Sequence, residues 1–345
     1  MISSLVRRGR FDLWLFVLVL FLLCDATVVF GQATFPGTFH EDLNSLKLDT
    51  SGLKAEIPVP GEIDDDSGKP FIRQRFQLQW RPDDRLDLYI VRPRGVTKPP
   101  VILFLYSFPQ DTDRFKDDGW CTRVTTEGFA AVGFVSALTG HRYRDRPAKE
   151  WFISELKEAL VKSAHDVQMI LNHLSEHENF DMDRIAMFGQ GSGATIAILA
   201  STVDPRIRVL HLVTPWGDWP EWFARASIVP NDERPKYLET MYLTSVAPLD
   251  PIHTFPKVKA KQILLQDLRA DAVTPAIVEP RIEKAAPARA QIDQFGDGRA
   301  YSSEYGGGKL FDWMKGQLQP DLNAKLTSPR TQRIHYYPPK EGTIH

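Results

Sequence analysis

Cysteine is nearly absent, with only Cys24 and Cys121 among 345 residues. That excludes a disulfide framework and any zinc site built from thiolates. An excess of either charge is also lacking: 42 Lys and Arg face 44 Asp and Glu, a formal net charge of -2. No global field exists to hold nucleic acid or an anionic membrane surface, so neither is expected as a partner. Beyond residue 33 no stretch approaches the ~20 apolar residues of a spanning helix, and no internal repeat is visible. What the chain does have is 43% hydrophobic residues, enough for a core of ordinary size.

The amino end predicts a destination. Arg7, Arg8 and Arg10 precede an apolar run over residues 13–24, and the small residues Ala26, Gly31 and Ala33 follow as cleavage points. This is the layout of a secretory signal over residues 1–33, so the chain is expected to be exported, periplasmic or secreted, with one thiol left after cleavage. An uncleaved N-terminal membrane anchor is the alternative, since residues 27–30 extend the apolar stretch past Asp25.

Residues 34–71, with Pro58, Pro60 and the acidic run 64–66, read as an extension on a domain surface. A domain over 72–320 and a tail over 321–345 complete the layout. Residues 71–80 and 85–91 alternate apolar and polar around Arg81-Pro82-Asp83-Asp84, which predicts an antiparallel pair. Continuous apolar runs at 101–106, 130–135, 185–188, 209–213 and 263–265 suit strands buried on both faces. Between them, Val161, Ala164, Val167, Ile170, Leu171 and Leu174 keep the period of one buried helix face. Residues 192–200, small and apolar throughout, suit a helix packed closely on a sheet. The alternation predicts an α/β fold, a mostly parallel central sheet with helices on both faces, carrying an insertion at about 216–246.

Residues 183–194, Asp183-Arg184-Ile185-Ala186-Met187-Phe188-Gly189-Gln190-Gly191-Ser192-Gly193-Ala194, run from a buried strand straight into that small-residue helix. The turn resembles the nucleophile elbow of the α/β-hydrolase superfamily, and residues 72–318 resemble its dienelactone-hydrolase-like and prolyl-oligopeptidase-like esterases and peptidases. An elbow needs small residues two places before and after its nucleophile. Gly189 and Gly193 form that pair, which puts Gly191 where the serine should be. With Ser192 as nucleophile the flanking residues would be Gln190 and Ala194, and Gln190 is too large. The resemblance further implies an acid after the next-to-last strand, where Asp271 stands. It implies a histidine after the last strand, where Arg299 stands instead, and a guanidinium does not accept a proton at neutral pH. Tyr106-Ser107 replaces the usual His-Gly of the oxyanion strand.

Several roles stay open. Asp271 reads equally as a cap near Pro275. Arg299 is either a solvated turn residue or fills the histidine's place and pairs with Asp271. His141, on the loop after residues 130–135, is the best placed relocated base; His335 and His345 lie in the Pro-rich tail. His165, His173 and His177 share a helix and read as core or surface residues. Trp216, Trp219 and Trp222 either line a pocket or pack the insertion. No metal and no cofactor are expected.

The sequence therefore predicts an exported α/β-hydrolase-fold protein with its nucleophile and base positions replaced by Gly191 and Arg299. Such a protein is a scaffold, or it binds a small carboxylate or ester-like ligand through Ser107, Phe108, Ser192, Trp216 and Trp219. One alternative is an active serine esterase or peptidase using Ser192, Asp271 and His141. Another is a nucleotide binder at Gly189 to Gly193, although no acidic residue ends the following strand at Val213 to hold a ribose.

Overall fold

The computed structural model describes residues 40–110, 112–139, 142, 152–269, 271, 273–306, 309–318 and 333–339. From Asp42 onward these form one compact unit. His141, His345 and the signal at 1–33 lie outside the described residues.

The antiparallel pair is β2 (Phe71–Arg81) and β3 (Asp84–Pro93), and β1 (Glu62–Asp64) adds antiparallel to β2. Leu86, Leu88 and Ile90 alternate along β3 and are fully buried. The five apolar runs become β4 (Pro100–Leu105), β5 (Ala130–Phe134), β6 (Asp181–Gln190), β7 (Ile207–Val213) and β8 (Gln262–Leu268), and β9 (Gln291–Phe295) follows without such a run. With β10 (Arg333–Tyr337) they complete a ten-stranded sheet in the order β1-β2-β3-β5-β4-β6-β7-β8-β9-β10. From β5 through β10 neighbouring strands run parallel, while β3 meets β5 antiparallel.

Helices cover the sheet. They are α1 (Asp118–Thr126), α2 (Leu156–His177), α3 (Ser192–Val203), α4 (Trp219–Arg225), α5 (Arg234–Tyr237), α6 (Thr240–Val246), α7 (Pro251–Thr254), α8 (Glu279–Ala285), α9 (Gly298–Tyr305) and α10 (Lys309–Gln317). None of the described helices is long and apolar enough to cross a membrane. The insertion after β7 folds as α4, α5 and α6, an aromatic layer in which Trp216, Trp219, Trp222, Phe223 and Tyr237 are all at most 1% exposed.

Two flanking segments join the unit. The extension is tied into the unit: Gln168 of α2 takes the Leu48 N–H on Oε1 at 3.1 Å and donates to the Leu46 carbonyl at 2.9 Å, while Glu56 bridges Gln79. The tail supplies β10, which continues the sheet beside β9. Both segments are short, with exposed faces, so neither carries an apolar run to announce it.

A buried ion network holds the amino half together. Asp166 of α2 accepts from Arg81 at 2.7 Å, from Arg142 at 2.6 Å and from the Trp80 indole at 2.9 Å. Arg142 also grips Asp84 through Nε at 2.9 Å, so the β2–β3 turn and the loop after β5 are locked to one helix. Each charge here has an opposite partner, which is the condition for keeping such groups out of water.

Candidate functional site

The elbow forms where the glycine spacing places it. β6 ends at Gln190, Gly191 caps α3 with φ 54° and ψ -119°, and the helix begins at Ser192. The flanking glycines make this turn possible by their lack of side chains. A Cβ at 189 would sit 2.5 Å from Ala194 Cα, and one at 193 would sit 1.9 Å from the Leu105 carbonyl oxygen. Strand, turn and helix touch backbone to backbone. The Gly191 N–H reaches the Val213 carbonyl at 2.9 Å, and its own carbonyl accepts from Ala194 and Thr195, so the bend is fastened on both sides.

The space a nucleophile's side chain needs is already taken. A Cβ at position 191 would lie 2.4 Å from Ser107 Oγ, 2.9 Å from Ser107 Cβ and 3.1 Å from the Trp216 indole nitrogen. Trp216 is held there from its own backbone, whose carbonyl accepts from Thr195 Oγ1 at 2.7 Å.

Ser192 also faces inward. It is 1% exposed, and its Oγ accepts the Phe108 N–H at 2.8 Å. In the hydrolase arrangement that N–H belongs to the turn that stabilises an oxyanion. Here a side chain of the same protein occupies the acceptor's place. Of the donors expected to face a ligand, the Phe108 N–H is therefore already taken by the Ser192 hydroxyl, and Ser107 fills the space beside Gly191. Trp216 and Trp219 line no open cleft either, being buried among Trp222 and Phe223 at ring separations of 4.9 to 5.9 Å.

The remaining positions of the triad do not meet. Asp271 lies on the loop after β8, and its Oδ1 accepts the N–H groups of Val273 at 2.9 Å and Thr274 at 2.6 Å, which caps the turn before Pro275. Arg299 is exposed in the first turn of α9 and makes no ion pair among the described residues, so the pairing with Asp271 that the sequence left open does not form. Tyr106, where the family has histidine, is half-buried between Phe104 and Phe188, and burial raises its phenol well above the ordinary value.

Among the other histidines, His165 contacts the Ser45 carbonyl at 2.8 Å. His173 is buried beside Phe76 and His177, and its pKa is lowered by desolvation first and by His177 second. No group of three metal-ligating side chains exists among the described residues. One polar row escaped the sequence reading. Gln266, Asp293 and His335 stand in register on β8, β9 and β10. The buried Asp293 accepts from Tyr305, from Gln291 at 3.0 Å and from His335 Nδ1 at 3.1 Å. His211, fully buried, bonds Gln266 at 2.7 Å, and burial pushes it down to about 4.

No protein-family profile and no curated protein matches the chain. Solved structures do. Acetyl xylan esterase 1 from a Thermoanaerobacterium species superposes with a TM-score of 0.57 at 12% identity, over 77% of this chain and 89% of that one. For an acetyl xylan esterase from a Paenibacillus species the values are 0.56 and 13%, over 76% and 89%. A 2,6-dihydroxy-pseudo-oxynicotine hydrolase gives 0.53 and 16%, over 75% and 70%. At such identities the likeness concerns the fold. The strand order, the elbow after β6 and these neighbours agree: the chain has the α/β-hydrolase fold.

Proposed function

We propose that this chain is an exported, non-hydrolytic protein of the α/β-hydrolase fold, acting as a scaffold or binding module and not through turnover at the elbow. The observation that carries the reading is the closure at Gly191, where Ser107 Oγ would lie 2.4 Å from a Cβ and Ser192 Oγ occupies the Phe108 N–H. A glycine has no atom to form an acyl intermediate, and the exposed Arg299 is no general base. A small carboxylate at the old catalytic point would have to displace the Ser192 hydroxyl from its donor, so binding through other surfaces fits better.

Against this stand the names of the structural neighbours, which are esterases and hydrolases. Steady-state hydrolysis of p-nitrophenyl acetate by the whole chain tests the proposal. Turnover that stays linear in substrate and unchanged in Ser192→Ala is expected. Saturable turnover abolished by that substitution would overturn the proposal and make Ser192 a nucleophile.

A further inference from the structure

We propose that a second pocket, at the opposite end of the strands from the elbow, binds a small tetrahedral oxyanion such as hydrogen phosphate. It sits at the starts of β8, β9 and β10 under α10, with Gln262, Arg289, Gln291, Arg333, Trp313 and Gln317 in its lining. Among the described residues the lining holds two arginines and no carboxylate.

Arg289 is fixed before any ligand arrives. Its Nε donates to the Ala260 carbonyl at 2.9 Å and one Nη to the Val258 carbonyl at 2.6 Å, so its guanidinium plane is set. It has no ion pair among the described residues, and burial lowers its pKa from the ordinary arginine value. A half-buried cation held only by carbonyl dipoles gains from an anion, and a pre-set guanidinium loses little freedom on binding one. Arg333, exposed at the start of β10, is likewise without an ion pair among the described residues. The carboxylate that the lining residue Gln291 touches, Asp293, is already engaged by Tyr305, Gln291 and His335.

One buried polar atom still lacks a partner there. Gln317 Oε1 accepts no hydrogen bond. Hydrogen phosphate meets both needs, offering anionic oxygens to the guanidinium groups and one O–H to an amide oxygen. Size narrows the class further. The cavity is about 50 Å³, against roughly 10–15 Å³ for one water on the same measure. It takes a group of a few heavy atoms.

Calorimetric titration of the full chain with inorganic phosphate, against sodium chloride at matched ionic strength, tests the site, with thermal unfolding as a second readout. Saturable phosphate binding is expected, weakened by about tenfold in Arg333→Ala, the loss of one charge-assisted contact. Arg289→Met is expected to remove binding; because it also cuts two loop contacts, the exposed Arg333→Ala variant keeps the test valid should Arg289→Met fail to fold. A heat and a melting shift no larger than chloride gives, or binding indifferent to Arg333, overturns the proposal. The pocket lies away from the elbow, so the result is independent of whether any ester is cleaved there.

Discussion

Restoring a side chain at Gly191 is expected to destabilise the protein, and the structure separates the cost into two parts. Gly191→Ala forces an L-residue into φ 54°, ψ -119°, a disfavoured backbone region worth about 1 to 3 kcal/mol. It also drives a methyl group to 2.4 Å from Ser107 Oγ and 3.1 Å from the Trp216 indole, an overpacking worth a further 1 to 3 kcal/mol or so. The sum is about 2 to 6 kcal/mol. Ser107→Gly removes both of the closest atoms and leaves the Trp216 nitrogen, so in the double variant most of the packing part is recovered and the backbone part remains. The coupling in a double-mutant cycle should therefore be about 1 to 2 kcal/mol, favouring the pair. Chemical unfolding of the four proteins, followed by tryptophan fluorescence, measures it. Gly191→Ala as stable as the parent, or a cycle with no coupling, would refute the reasoning, because it would mean the elbow is neither strained nor filled by Ser107.

Two more predictions rest on buried charge. Burial first, with Glu283 and Asp271 adding, raises the Glu279 carboxyl to about 7, and Asp267 rises by the same causes of burial and neighbouring glutamates. The folded chain thus keeps a proton that the unfolded chain has lost above pH ~4.5. Glu279 makes stability fall as pH climbs to about 7 and level off beyond, by up to about 3 kcal/mol through linkage. His211, pushed down to about 4, works in the opposite sense below its ordinary value of 6.5, so the comparison to make is between the parent and Glu279→Gln. Their difference in unfolding free energy should vary across that window and be flat above it; a constant difference contradicts the assignment. Separately, Asp166→Asn leaves the side chains of Arg81 and Arg142, 5% and 0% exposed, short of their shared countercharge, at a cost of about 3 to 5 kcal/mol in denaturant unfolding; a loss under 1 kcal/mol would show the network to be dispensable.

Much of the fold could be read from the sequence because buried parallel strands write themselves as apolar runs. Residues 101–106 and 209–213 are cases of this, and once the resemblance to a nucleophile elbow was seen, the spacing of Gly189, Gly191 and Gly193 set its register. Length was harder: residues 185–188 are the buried centre of a strand running Asp181–Gln190, whose polar ends are held by backbone pairing that side-chain patterns do not report. The strand Arg333–Tyr337 was missed for the related reason that four of its five residues are exposed. The filling of the site was not legible at all. Whether Ser192 turns its hydroxyl to Phe108, whether Ser107 leans over Gly191, and whether Arg299 points to solvent depend on rotamers and loop paths that local sequence does not encode. The clustering of Asp267 with Glu279 and Glu283 brings β8 against α8, a contact that no local spacing encodes.

The most direct test of the central claim is intact-mass analysis of the folded chain after incubation with a serine-directed fluorophosphonate. With no side chain at Gly191 and the Ser192 hydroxyl buried on the Phe108 N–H, the mass should be unchanged. A single phosphonyl adduct on Ser192, formed by folded protein and prevented by prior unfolding, would contradict the closed elbow and establish a working nucleophile.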